Sequence, residues 1–137
     1  MDARMFEKAN QFIKTSSNAS FGVIDESGFP SASAIWLMGH EGVSEIYFST
    51  PMGSNKYNRL QKCNKACICT YTDFNNLTLV GEAEILTDQE SKSKHWQPPF
   101  IHIYPGGDTD PNYCVIKFTT KRVSLNIEHE EAEFAIK

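Results

Sequence analysis

Ser49, Thr50, Ser54, Asn55 and Lys56 lie close together in the chain, and their types suit the binding of a phosphate. An apolar run, Ile46-Tyr47-Phe48, leads into the two hydroxyls. Pro51-Met52-Gly53 then supplies a turn, and a helical run follows from Lys56 to Gln61. The free N–H groups of a helix's first turn point outward, the helix dipole favours an anion there, and Lys56 adds a full positive charge. An ordinary turn with Ser54 as a helix N-cap would show the same residues. The local pattern leaves both readings open.

Other residues that could carry chemistry are less organised. Cys63, Cys67, Cys69 and Cys114 lack the paired Cys-x2-Cys spacing of a structural zinc site, and Cys67 and Cys69 share one face of a strand-like run. Buried thiols in a reducing compartment explain them better, so no metal is expected. His40, His95, His102 and His129 are scattered and match no catalytic spacing. Gly106-Gly107 has no strand-then-helix context and reads as a turn. Glu41, Glu45, Glu82 and Glu84 read as solvent-facing charges. Large aromatics, namely Trp36, Tyr47, Phe48, Tyr71 and Trp96, flank the phosphate cradle in the pattern of strands. A cradle beside an apolar, aromatic cleft suits a phosphorylated flat cofactor, which could supply chemistry the side chains lack.

The elements that must position these residues follow from periodicity. Met5, Phe6, Ala9, Phe12 and Ile13 give a helix over 3–16. Strands are expected over 18–25 and 31–38, joined by the turn Glu26-Ser27-Gly28-Phe29-Pro30. A third strand covers 45–49, and the helix after the cradle ends near Cys63-Asn64. Strands follow over 66–72 and 77–86, then a helix from an Asp88 cap to about Trp96. Phe100 to Tyr104 reads as a short helix, and 105–111 as a loop. Two final strands, 114–118 and 122–127, precede an acidic stretch over about 128–137 that reads as a tail or short helix. Short connections favour an antiparallel sheet or small barrel, so residues 1–137 form a single α+β domain.

With 137 residues and a net charge of −4, the chain has no basic footprint for nucleic acid. It also has no apolar run long enough to span a membrane. The start, Met1-Asp2-Ala3-Arg4-Met5-Phe6, lacks a signal-peptide core, which makes a cytoplasmic location the expectation.

In this order the segments resemble the FMN-binding split-barrel superfamily, which includes the pyridoxamine 5'-phosphate oxidases and related general-stress proteins. Three segments carry the likeness: Gly28-Phe29-Pro30-Ser31-Ala32-Ser33; Ile46-Tyr47-Phe48-Ser49-Thr50 with Ser54-Asn55-Lys56 and Leu60…Asn64-Lys65-Ala66-Cys67; and Leu79-Val80-Gly81-Glu82-Ala83-Glu84. The stretch Trp96…Tyr104-Pro105-Gly106-Gly107…Asp110-Pro111 is most similar to the general-stress branch. The resemblance implies a six-stranded antiparallel split barrel of Greek-key type with flanking helices. It implies a homodimer with FMN at the interface. Ser49, Thr50, Ser54, Asn55 and Lys56 would surround the phosphate and ribityl chain, and Ser33, Ala34, Ile35 and Trp36 would run along the flavin. Thr78 and Trp96 would make contact across the dimer.

Two departures from the family pattern bear on function. Many members have Arg where Ser33 stands and a second basic residue where Asn55 stands, which leaves Lys56 as the one clear cation of the motif. Each charge-assisted hydrogen bond is worth roughly 1.5–3 kcal/mol, so FMN affinity would fall unless Arg59 or Lys62 compensates. The basic pocket that binds substrate phosphate in pyridoxamine phosphate oxidases has no match in Glu128-His129-Glu130-Glu131, which argues against that substrate. The expected function is an FMN-dependent oxidoreductase of unidentified substrate. A non-catalytic flavin sensor is the alternative, as is a split barrel holding a deazaflavin, or heme with His102 or His129 as ligand.

Overall fold

The Asp2 carboxylate accepts hydrogen bonds from the backbone N–H groups of Arg4 and Met5, at 2.9 and 3.4 Å, and so starts helix α1 (Ala3–Lys14). Met5, Ala9 and Ile13 bury one stripe of that helix in the core. The structure, a computed structural model, describes residues 2–37 and 40–136. The strands are β1 (Asn18–Ile24), β2 (Pro30–Trp36), β3 (Glu45–Pro51), β4 (Lys65–Thr72), β5 (Asn75–Leu86), β6 (Tyr113–Ile127) and β7 (Glu130–Ala135). Helices α2 (Asn55–Lys62) and α3 (Gln89–Lys94) and a 3-10 turn over Pro98–His102 complete the frame. The second strand was expected to reach Met38, which lies outside the described residues.

The strands pair antiparallel in the order β2-β1-β4-β5-β6-β3, with β7 also beside β6. β4, β5 and β6 pair in succession and β3 lies beside β6, which is a Greek key. Among the described residues β2 and β3 stay unpaired on their outer edges, so the sheet does not close. It curls nonetheless. Phe21 of β1 and Phe48 of β3 are well separated in strand order, yet their ring centroids lie 4.8 Å apart, edge to face. Phe118 of β6 joins them, 6.5 Å from Phe21. An open, curled antiparallel sheet with flanking helices is the α+β split barrel expected, with one strand more than six.

The added strand corrects the reading of the acidic C-terminal stretch. Glu131 and Glu133 point outward while Ala132 and Phe134 pack on the core, a period of two that makes β7. The charge that suggested a tail is answered from the other end of the chain. Glu130 accepts from Arg4 at 2.9 and 2.6 Å and from Lys8 at 2.6 Å, tying β7 to α1. Those contacts hold the Glu130 carboxyl down at about 2.

A second difference lies in β6, which runs unbroken where two strands, 114–118 and 122–127, were expected. Gly81 pairs with Thr120 and Val80 with Arg122, so Lys121 bulges out of register. The polar run is absorbed by the bulge, and the buried Thr120 hydroxyl donates to the Val43 carbonyl. Gly81 is required there, since a Cβ would overlap the Thr119 carbonyl.

Candidate cofactor site

The Ser54 hydroxyl caps α2 by accepting from the Tyr57 N–H at 3.2 Å, and it bonds the Thr50 hydroxyl at 2.8 Å. A cap of this kind is worth about 1 kcal/mol. Gly53 makes the turn into it with φ of 75°, and nothing lies within 4 Å of where a Cβ would stand, which leaves open space beside the start of the helix.

Lys56 reaches from the first turn of α2 to β2, where its ammonium donates to the Ser33 hydroxyl at 3.0 Å. One turn later Arg59 does the same at Ser31, donating from Nη1 at 3.2 Å, while its Nε donates to Glu26 at 3.2 Å. Ser31 and Ser33 alternate along one face of β2, so the two cations and two hydroxyls form a seam between helix and strand. Burial pushes the Lys56 ammonium below the ordinary lysine value, and its hydrogen-bond partner is uncharged. An anion at the helix start would reverse that shift. The donors fit a phosphate group: the Lys56 ammonium, the Ser54 hydroxyl and the first-turn amides of α2, with the buried Thr50 hydroxyl holding Ser54 from behind.

The structure separates two expected neighbours. Thr50 points inward and is 1% exposed, whereas Ser49, one residue earlier on the strand, points to the other face. There the Tyr104 hydroxyl donates to the Ser49 Oγ at 3.4 Å, beneath the apolar cluster of Phe100, Tyr104, Tyr113 and Val115. Ser49 therefore belongs to that cluster and not to the cradle. Asn55 occupies the first position of α2 with its side chain exposed. On β2, Ile35 is buried in the core while Ala34 and Trp36 are exposed on the opposite face. Thr78 lies mid-sheet, opposite Cys69 and Ser124, and Trp96 packs 5.2 Å from the Tyr113 ring. Neither meets the cradle within one chain. His102 and His129 are both exposed.

Sequence reasoning named Arg59 only as a possible compensation. Its partnership with Ser31 and Glu26 depends on β2 lying under α2, a long-range contact without local signal. Among the described residues no group of histidines, cysteines and carboxylates could hold a metal. No helix is long and apolar enough to cross a membrane among those residues.

The family model of pyridoxamine 5'-phosphate oxidase matches residues 5–126. The chain belongs to this family. Within it, one similar solved structure is a protein from Clostridium acetobutylicum related to general stress protein 26 of B. subtilis, of the pyridoxinephosphate oxidase family. It is 30% identical, with 99% of this chain and 97% of that chain covered at a TM-score of 0.88. General stress protein 26 from Bacillus anthracis shares the fold at 17% identity, covering 97% and 99%, with a TM-score of 0.82. A nimc/nima family protein from Clostridium acetobutylicum does so at 16% identity, covering 96% and 94%, with a TM-score of 0.75. No curated protein matches this member of the pyridoxamine 5'-phosphate oxidase family.

Proposed function

We propose that the chain binds FMN with its phosphate at the start of α2 and serves as a flavin oxidoreductase on an unidentified small molecule. The observation that carries this reading is the Lys56–Ser33 bridge, which brings a partly desolvated cation, a helix N-terminus and an edge strand together. FMN would supply the electron transfer that no side-chain constellation here provides. Lys56 and the α2 amides hold the phosphate, with the Thr50–Ser54 hydroxyl pair bracing the turn. Arg59 stands one turn further along but is paired with Glu26, so Lys56, whose partner is a neutral hydroxyl, carries the charge toward the phosphate. The outer edge of β2 has no strand partner, so its backbone groups over Ser33–Trp36 are free to meet a flat ring edge.

The protein acts as a homodimer with FMN at the interface. Supporting this, β2 buries only Ile35, and the outer face of the sheet carries a row of small uncharged residues in register: Ala34, Ser20, Cys69, Thr78 and Ser124. Trp36, Tyr71 and Phe74 stand 43%, 73% and 91% exposed in β2, β4 and the turn after β4. Four free cysteines favour a cytoplasmic, reducing location. The acidic run Glu128 to Glu131 disfavours pyridoxamine phosphate as substrate, and a role in stress rests on the names of the similar structures. The test is a fluorescence titration of purified protein with FMN. Quenched flavin emission with saturation below about 100 μM is expected, and no uptake at that concentration overturns the reading.

A further inference from the structure

At the opposite end of β3 from the cradle lies a cleft of about 640 Å³, within the range of small-molecule pockets. Buried Phe48 and Phe100 line its apolar part. His95 and Tyr47 form one wall, their rings stacked 3.8 Å apart at 12°. His40 forms another, and its Nε2 accepts the Tyr47 N–H at 3.0 Å on the edge of β3 that faces no strand. A neutral imidazole has one donor and one acceptor nitrogen, so this bond places the His40 proton on Nδ1. Burial lowers the pKa of both imidazoles, and both are therefore neutral near pH 7.

The charged groups around this cleft already have partners. Glu41 lies 3.6 Å from Lys14, Glu45 lies 3.4 Å from Lys117, and Lys121 lies 3.8 Å from Glu82. A charged ligand would leave water for a site where, among the described residues, each of these rim charges already faces an opposite one, which is costly. An uncharged flat ring would meet an aromatic wall and neutral N–H donors, the His40 Nδ1–H and the Gln97 amide. We propose that this cleft binds a small, uncharged, planar ring bearing carbonyl acceptors, a quinone in chemical class. The cleft shares no lining residue with the cradle, so the proposal stands apart from the flavin reading.

The test uses flavin-free protein and menadione as the probe, followed by calorimetry. Saturable one-to-one binding below about 100 μM is expected. His95→Ala removes one ring of the stacked wall, and Ser44→Trp fills the cleft from the loop before β3. Each is expected to weaken menadione at least tenfold, about 1.4 kcal/mol, while FMN uptake stays at the wild-type level. 2-Naphthoate, a ring of the same size with a charge, is expected to bind at least tenfold more weakly than menadione. No saturable menadione heat, unchanged binding in both variants, or naphthoate binding as tightly as menadione would each overturn the proposal. A thermal melt checks that the variants fold, and Ser44→Trp decides the matter if His95→Ala does not.

Discussion

The two ends of β3 present opposite kinds of site. At its C-terminal end the proposed phosphate cradle is assembled almost entirely from consecutive residues, Thr50 through Lys56, with charge supplied by Lys56. At its N-terminal end a neutral cleft is assembled from His40, Tyr47, His95 and Phe100, which come from separate elements, and its charged rim is already paired. The contrast teaches that the two ends of one strand acquire different chemistry when they meet different neighbours. α2 presents cations to β2 at one end, and the α3–3-10 segment presents aromatic rings at the other.

The largest expected effect breaks both ends together. Phe48 is 4% exposed, packs on Phe21 and also lines the cleft. Phe48→Ala should cost about 3–5 kcal/mol in urea unfolding and weaken both FMN and menadione binding. Loss of one ligand with the other untouched would show that the two ends do not depend on the shared core.

Lys56→Ala should separate the ends. FMN affinity is expected to fall at least tenfold, about 1.4 kcal/mol, with menadione binding unchanged in parallel titrations. Ser54→Ala removes the α2 cap and should lower stability by about 1 kcal/mol in a denaturant melt, with a smaller loss of FMN affinity than Lys56→Ala. An equal or larger loss of FMN would mean that the hydroxyl, rather than the ammonium, dominates the cradle.

Acid should act on the cleft first. His40 and His95 have folded-state pKa values lowered below the ordinary 6.5, so the unfolded chain takes up their protons at higher pH. Their contribution to stability is present above pH 6.5 and declines as pH falls below it. Protonated His40 can no longer accept the Tyr47 N–H, and the groups around it are Glu41, Glu45, His95 and Lys121. Menadione binding is expected to weaken between pH 7 and pH 5, while FMN binding changes less. The Glu130 tie to α1 responds lower still, being present above about pH 4.5 and lost toward about 2. Thermal melts across pH, with Glu130→Gln for comparison, distinguish these two windows.

Much of this arrangement was legible in the chain because the signals were local. The Ser54 cap, the Gly53 turn and the position of Lys56 follow from neighbouring residues, as does the order of elements up to β5, whereas the open split barrel followed from the family resemblance. What could not be read depended on partners far along the chain. Ser49 and Thr50 read as a hydroxyl pair, but strand alternation sends Ser49 to Tyr104, 55 positions away. The acidic stretch after Ile127 read as a tail because Arg4 and Lys8, at the other terminus, cannot be seen as its partners from within it. The bulge at Lys121 hid a continuous strand behind a polar run. His40 and His95 carried no shared spacing, so the cleft they flank had no signature at all.

The phosphate claim at the cradle is tested most directly by titrating the protein with FMN and with riboflavin, which differ only in the phosphate. FMN is expected to bind at least tenfold more tightly than riboflavin, a margin of about 1.4 kcal/mol that disappears in Lys56→Ala. Equal affinities for the two flavins in the wild-type protein would contradict a phosphate site at the start of α2.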